Sequence, residues 1–191
     1  GFSTFVGGNI GTPLASGLGK DYDFVVSELS SFQLMDFEPK CDVAIITSIT
    51  PNHLNWHADM DEYIGAKARV LKHARARVLC YDYEVLRALG SGYDNVTYFS
   101  LSDLSSISGN RVYLRGEDIY YNSTRVLSKN ELLLRGDFNA LNVMATIGAC
   151  APYVPFFELV EALRSFRVVP HSLELVKKVG DVSFFDSSID T

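Results

Sequence analysis

The 191-residue chain has only three cysteines, Cys41, Cys80 and Cys150, and none of them stands in a CxxC pair. That number and spacing exclude a disulfide framework and a cysteine zinc site, and suit a reducing compartment. No run of 18 consecutive apolar residues is present, and the amino end, GFSTFVGGNIG, lacks the basic region and apolar core of a secretion signal. Basic residues are also in deficit: 17 Lys and Arg against 23 Asp and Glu leave a net charge of −6, without the broad positive field that draws a protein onto nucleic acid. The expectation is a soluble cytoplasmic chain that binds neither nucleic acid nor membrane, in which the sequons at Asn95 and Asn122 mean little because such a chain does not meet the glycosylation machinery. Two phosphate-loop patterns are missing as well. Lys20 follows Gly19, but Leu14 stands where a Walker A loop needs its first glycine and Asp21 where it needs Ser or Thr, while GGNIGTP (7–13) lacks GxGxxG spacing.

What remains is a globular composition, 47% apolar and 21% charged, ample for a continuous core. Short apolar runs alternate with segments of helical period, which predicts an α/β fold with a mostly parallel central sheet flanked by helices. DFVVSEL (23–29) and DVAIITS (42–48) are continuous rather than alternating, as strands covered on both faces are. ARVLCYD (76–82) and NVTYFS (95–100) follow as strands, with a short helix over 83–89. The runs 111–114, 118–121 and 124–127, separated by RGE and NST, predict a small antiparallel β meander at the sheet edge. Helices are expected over 139–149, capped by Asp137, and over 156–166, started by Pro155; LELVKKV and DVSFFD then form strands around Gly180. The chain opens in a glycine-rich segment and closes on DSSIDT, without the polar tails of natural termini, so a fragment of a longer protein is expected.

Ligands of open α/β sheets gather at the carboxyl ends of the strands. Three strands end in polar residues: Glu28 and Ser30; Thr50, Asn52 and His53; Asp186, Ser187 and Ser188. Their convergence on one face is the expected site. Asp59 and Glu62 form a capping box that starts a helix near Met60, and Lys67 falls within its apolar stripe of Met60, Tyr63, Ile64, Val70, Leu71 and Ala74. Lys67 either snorkels to the edge of the core or works in a cleft, as a cation for phosphate or as a carbamate that offers oxygen to Mg²⁺. His53 and His57 are four apart, but no HExxH pattern surrounds them, and His53 beside Glu28 is the more economical magnesium site. In GGNIGTP the glycines and Asn9 allow either close approach to a ligand or a plain turn. Asn139 and Asn142, three apart, either read a nucleotide or cap their helix.

GGNIGTPL, SELSSFQL, ITPNHLNWHADMDEYIGAKARVL, GDFNALN and PHSLE occur in an order that resembles the central domain of the Mur ligases. These are ATP-dependent amide ligases of peptidoglycan synthesis, and SELSSFQL resembles most the branch that joins D-glutamate to UDP-N-acetylmuramoyl-L-alanine. The resemblance implies that residues 1–191 form the central ATP-binding domain, with a P-loop and UDP-binding domain before Gly1 and a glutamate-binding domain after Thr191. It implies magnesium ligands at Glu28 and His53 and a carbamylated Lys67, all three catalytic. Asn9 and Ser30 would contact the muramoyl substrate, Asn139 and Asn142 the nucleotide, and Asp186 the ribose of ATP; Ser31 and Gln33 would support the loop. Three residues depart from the family pattern: Ser172 where PHR has arginine, Ser188 where a lysine is common, and Phe138 where histidine precedes the asparagine. Two other readings stand beside this one: a Mur-like ligase for another carboxylate and amino acid, which SELSSFQL counts against, and a nucleotide-binding module that has lost catalysis, which Ser172 and Ser188 keep open.

Overall fold

The structure, a computed structural model, describes residues 1–9, 11–52, 54–167 and 174–187. The chain divides into two compact units, Gly1–Cys41 with Thr50–Ala74, and Asp42–Ile49 with Arg75–Thr191.

In the first unit β1 (Thr4–Gly8) and β2 (Phe24–Glu28) pair in parallel, with Gly8 opposite Glu28 at the far end. A single 3-10 turn, Leu14–Gly17, follows Pro13 on the way between them. Next comes the short helix α1 (Ser31–Met35), which packs on the longer α2 (Met60–Lys72). Leu34, Tyr63, Ala66 and Leu71 are buried there. Helix α2 starts where its cap residues place it: Asp59 Oδ1 accepts the Glu62 amide at 2.9 Å. The Glu62 carboxylate accepts the Ala58 amide at 2.7 Å, so the return half of the capping box reaches one residue further back than the usual pattern.

One expectation needs correction in this unit. The continuous apolar run of β2 predicts cover on both faces, yet Val25 is 61% exposed and Val26 55%. Its sheet pairs β1 and β2 only, and the 3-10 turn and Tyr22 pack on Phe5 of β1 while Val25 and Val26 stay exposed. A run without alternation records that a strand has no solvent face of its own, but not which part of a protein supplies the cover.

The second unit is built on a six-stranded sheet of order β3-β4-β5-β6-β7-β8. Its strands are β3 (Lys40–Ile46), β4 (His73–Cys80), β5 (Val96–Ser100), β6 (Asn110–Arg115), β7 (Asp118–Tyr121) and β8 (Thr124–Ser128). From β4 to β6 the pairing is parallel; from β6 to β8 it is antiparallel, which is the expected meander at the sheet edge. Asn122 turns the second hairpin, between β7 and β8, at φ 55°, a conformation that asparagine tolerates, and its side-chain oxygen accepts the Arg111 amide at 3.0 Å. That sequon residue has a structural task. β3 lies at the other end of the sheet, with Ala44 and Ile46 buried and Ile45 exposed, so this strand too is covered on one face rather than two.

Helices α3 (Glu84–Gly90), α4 (Asp137–Cys150) and α5 (Phe156–Ser165) complete this unit. Val143, Met144 and Ile147 of α4 are buried, and the helix packs on β5, β6, β7 and α5. At Gly148 a Cβ would stand 3.1 Å from Val78 Cγ1 and 3.2 Å from Thr97 Cγ2, so the absent side chain lets α4 settle closely on the sheet. Full burial of each large apolar side chain contributes about 1.5–3 kcal/mol, which makes this layer the main source of stability in the unit. A separate antiparallel hairpin of β9 (Glu174–Val179) and β10 (Val182–Asp186) turns at Gly180, as expected. None of the three cysteines forms a disulfide. Burial pushes the Cys80 thiol up to about 11, which makes it unreactive.

Asp103 accepts Arg115 Nε at 2.8 Å and the Ser105 amide at 2.8 Å. The guanidinium bond first, then the Ser105 amide, holds its carboxyl down to about 2. A carboxylate whose pKa is lower in the folded than in the unfolded state stabilises the fold above the unfolded value of ~4. That stability is lost as pH falls from ~4 towards 2. Acid unfolding followed by circular dichroism should therefore show a shallower pH slope in that window for Asp103→Asn than for the parent, and the same slope at neutral pH.

Candidate functional site

The end of the β1–β2 ladder assembles the first group of candidate residues. Gly8 adopts φ +125°, and a Cβ there would lie 2.1 Å from the Glu28 carbonyl oxygen; at Gly7 it would lie 2.2 Å from the Thr12 carbonyl oxygen. Gly7 and Gly8 of GGNIGTP thus allow the chain to approach its own backbone. This favours the turn over the ligand cradle as the reason for their presence. The crossing lets Asn9 donate its backbone amide to the Glu28 carbonyl at 2.8 Å and its side-chain amide to Glu28 Oε1 at 3.4 Å. Both side chains are exposed. Asn9 and Glu28 are therefore brought together, and Glu28 Oε2 has no hydrogen-bond partner among the described residues.

Ser30 caps α1. Its Oγ accepts the Gln33 amide at 3.3 Å, while Gln33 Oε1 accepts the Ser30 amide at 2.9 Å and its hydroxyl at 3.1 Å, a reciprocal box. Gln33 does support the loop. Ser31 is buried, with Oγ 3.0 Å from His57 Nε2. At the other end of α1, Arg69 from α2 donates Nη1 to the carbonyls of Leu34, at 3.3 Å, and Met35. These contacts join the segment that carries Glu28 and Ser30 to the helix that carries Lys67.

Lys67 is half-buried on α2, and its Nζ lies 5.2 Å from the centroid of the Tyr63 ring. It makes no ion pair among the described residues, although Lys72 on the same helix pairs with Glu38 at 3.0 Å. An ammonium held beside an aromatic face without a carboxylate is compatible with the snorkelling reading and leaves the amine open to the chemistry of a cleft. His53, the other expected magnesium ligand, lies outside the described residues. His57 is buried, and its ring stacks on Phe32 at 5.6 Å.

Asn139, Asn142 and Asp186 belong to the second unit. The expected cap of α4 needs correction: Gly136, at φ 86°, occupies the cap position without a side-chain bond, and Asp137 is already in the first turn. Asp137 still suits the positive end of the helix. Asn139 is 7% exposed and donates Nδ2 to the Arg135 carbonyl at 2.8 Å, so its amide closes the turn that enters the helix. Asn142 is exposed. A depression of about 110 Å³ lined by Lys129, Asn130, Arg135 and Asp137 lies beside this helix start. Asp186 ends β10, opposite Glu174, and is half-buried. Ser172 and Ser188 lie outside the described residues, whereas Phe138 is exposed on α4.

The three expected strand ends belong to three different sheets. Glu28 ends a strand of the two-stranded sheet, Thr50 and Asn52 follow a strand of the six-stranded sheet, and Asp186 ends a strand of the hairpin. Periodicity detects strands but does not assign them to sheets. The Ser31 to His57 contact and the Arg69 bridge were not legible. The one available signal was polar: a serine inside SELSSFQL and a histidine four residues past His53, both next to aromatic residues.

Residues 9–150 match the model of the Mur ligase middle domain. The chain belongs to the Mur ligase family. Among curated relatives of this Mur ligase, the UDP-N-acetylmuramoylalanine--D-glutamate ligase of Clostridium perfringens is 36% identical over 195 residues, covering 99% of this chain and 42% of the relative. The enzyme of the same name from Ruminiclostridium cellulolyticum is 36% identical over 200 residues, covering 100% of the chain and 43% of the relative. The chain thus spans about two-fifths of the length of these relatives. Solved structures agree on the fold: MurF from Acinetobacter baumannii superposes with a TM-score of 0.67 at 17% identity, over 97% of this chain and 45% of that one. MurC from Thermotoga maritima gives 0.59 at 18% identity, over 94% and 48%.

The magnesium ion implied by the resemblance can be tested against the donors present. Among the described residues no group of three or more His, Cys, Asp or Glu side chains forms a metal cage. Mg²⁺ does not need one: it binds through one or two carboxylates, retains water and takes its other oxygens from phosphates. Glu28, exposed and with a spare oxygen, fits that requirement. Gly8→Ala should displace it, because the added methyl meets the Glu28 carbonyl and the φ value is strained for any L side chain. We expect a loss of at least about 1 kcal/mol by thermal unfolding, together with faster proteolysis between β1 and β2.

Proposed function

We propose that the full-length protein is a cytoplasmic ATP-dependent ligase that joins D-glutamate to UDP-N-acetylmuramoyl-L-alanine in peptidoglycan synthesis. The observation that carries this reading is the similarity to relatives named for that reaction along 99% of the chain. Among the described residues no helix is long and apolar enough to cross a membrane, which agrees with a cytoplasmic site of action.

The reaction has two steps. An alanyl carboxylate oxygen attacks the γ-phosphorus of ATP and ADP leaves, giving an acyl phosphate; the amine of D-glutamate then attacks the acyl carbon, inorganic phosphate leaves and the amine gives up a proton. Two anionic reactants, the carboxylate and the triphosphate, must approach one another in the first step, so placement and charge neutralisation are the main demands on the protein. Asn9 and Ser30 would hold the muramoyl substrate at the end of the β1–β2 ladder. Asn139 and Asn142 would contact the nucleotide and Asp186 its ribose. Glu28, His53 and Lys67 would hold Mg²⁺, which when bound offsets the charge of the transferring phosphoryl group. For Lys67 to serve as an oxygen ligand, its neutral amine must add to carbon dioxide, forming an N–C bond and releasing a proton. The position of Nζ beside Tyr63 without an ion pair supports that assignment. Domains on either side of the 191 residues would supply the P-loop and the glutamate site.

The full-length protein should release phosphate from ATP only when both UDP-N-acetylmuramoyl-L-alanine and D-glutamate are present. Release with a different acceptor pair would replace this reading with a Mur-like ligase of other specificity, and no release would favour the lapsed nucleotide module that Ser172 and Ser188 allow. The 191-residue chain alone, at two-fifths of the length of its relatives, should show no ligation.

A second measurement addresses Lys67. In ¹³C-bicarbonate the full-length protein should show a carbamate carbon resonance that Lys67→Arg abolishes, with ligation reduced by roughly 10²-fold or more, the scale of losing one electrostatic group from an active site. A variant that keeps full activity would remove Lys67 from the metal site.

A further inference from the structure

His57 is 2% exposed and lies between the two elements on which the proposed metal site depends. Its Nε2 is 3.0 Å from Ser31 Oγ, and Ser31, 3% exposed, opens α1 directly after Ser30 and three residues after Glu28. Its ring stacks on Phe32, centroids 5.6 Å apart and planes 4° from parallel. On its other side the ring meets Tyr63 of α2 at 5.4 Å, and Tyr63 is the residue whose face carries Lys67 Nζ. Nδ1 makes no hydrogen bond but lies 3.5 Å from Glu62 Oε2. The tautomer with its proton on Nδ1 suits both neighbours: the N–H points towards a carboxylate, and Nε2 accepts the Ser31 hydroxyl.

Serine, histidine and glutamate in this order resemble a nucleophilic triad. Burial of both Ser31 and His57 argues against it, because no substrate carbonyl can reach the Ser31 oxygen. The opposite reading is a core histidine that contributes packing and nothing else. Two features speak against pure packing. A polar ring has been placed where a phenylalanine would fill the same aromatic stack, and its one hydrogen bond goes to the segment that ends in Glu28 and Ser30.

We infer that His57 is a positioning residue, which through Ser31 and Tyr63 fixes the separation between the strand end bearing Glu28 and the helix bearing Lys67. The inference rests on the metal site proposed above. Residues that orient metal ligands without touching the metal typically change affinity or activity 10–100-fold when removed.

The test uses the full-length protein, with Mn²⁺ as the probe. Mn²⁺ binding is measured by electron paramagnetic resonance beside the Mg²⁺ concentration for half-maximal ligation, the KM for each substrate and the thermal midpoint. His57→Ala and Ser31→Ala should each weaken Mn²⁺ binding about tenfold. The double variant should be no weaker than the worse single one, since both act through one bond, and His57→Gln should recover most of the loss by accepting the Ser31 hydroxyl. The KM for D-glutamate should not change. Unaltered Mn²⁺ binding in His57→Ala overturns the inference, whatever happens to the thermal midpoint. Should His57→Ala fail to fold, unaltered binding in Ser31→Ala overturns it equally. Parent protein that binds no Mn²⁺ overturns the metal site itself, and that result is distinct from parent binding that the two variants leave untouched.

Discussion

The close crossing of Gly8 over Glu28 is the constraint on which the first unit depends. With 2.1 Å between a hypothetical Cβ and the Glu28 carbonyl oxygen, only glycine lets the two parallel strands finish together. That shared ending has three consequences. Asn9 emerges with its backbone and side-chain amides directed at Glu28; Glu28 emerges exposed rather than inside the ladder; and the chain is free to turn into α1 within two residues, where Ser30 caps the helix. A bulkier residue at position 8 would separate the strands at the point where the candidate substrate and metal contacts begin. Gly7 and Gly8 therefore shape the candidate site through backbone geometry, since a side chain at either would meet a backbone carbonyl.

Much of the fold was legible because the physical signals were local. Every strand and helix expected from periodicity occurs within a few residues of its place, and the cap residues Asp59 and Pro155 begin their helices where expected. Errors arose where a signal depended on the whole chain. Asp137 has the side chain of a cap, but Gly136, which can take φ 86°, reaches the position first and shifts Asp137 into the helix. VVSE has the composition of a strand covered on both faces, and composition cannot say which residues provide the cover. Sequence likewise shows where a strand stops but not which sheet it joins, and the three polar strand ends belong to three sheets.

The candidate site divides along the same line. Asn9, Glu28 and Ser30 are close in the fold because two short strands and one cap bring them there, and the motif that contains two of them is contiguous. The role of Lys67 was visible only as an anomaly, a cation within an apolar stripe. Its surroundings refine that anomaly: an aromatic face at 5.2 Å lowers the cost of holding the charge away from water, yet no described carboxylate compensates it. Among lysines on α2, Lys72 shows the ordinary solution, a paired ammonium at the surface. The contrast between two lysines five residues apart is stronger evidence for a special role at Lys67 than its stripe position was.

His57 illustrates why a site cannot be reduced to the groups that contact ligand. A histidine four residues from another suggests shared coordination when read from spacing alone, since both would fall on one face of a helix. Residues 54–59, which carry His57, form turns and bends rather than a helix, and in such backbone a spacing of four does not imply a shared face. The imidazole is buried among Phe32, Ser31 and Tyr63, where its value lies in having two different faces to satisfy: a flat apolar surface that stacks and a nitrogen that accepts one hydroxyl. A phenylalanine supplies only the first and an amide only the second. That combination makes the ring a stiff spacer between α1 and α2, and stiffness of this kind is what a carboxylate and a lysine on separate elements need if they are to meet one ion.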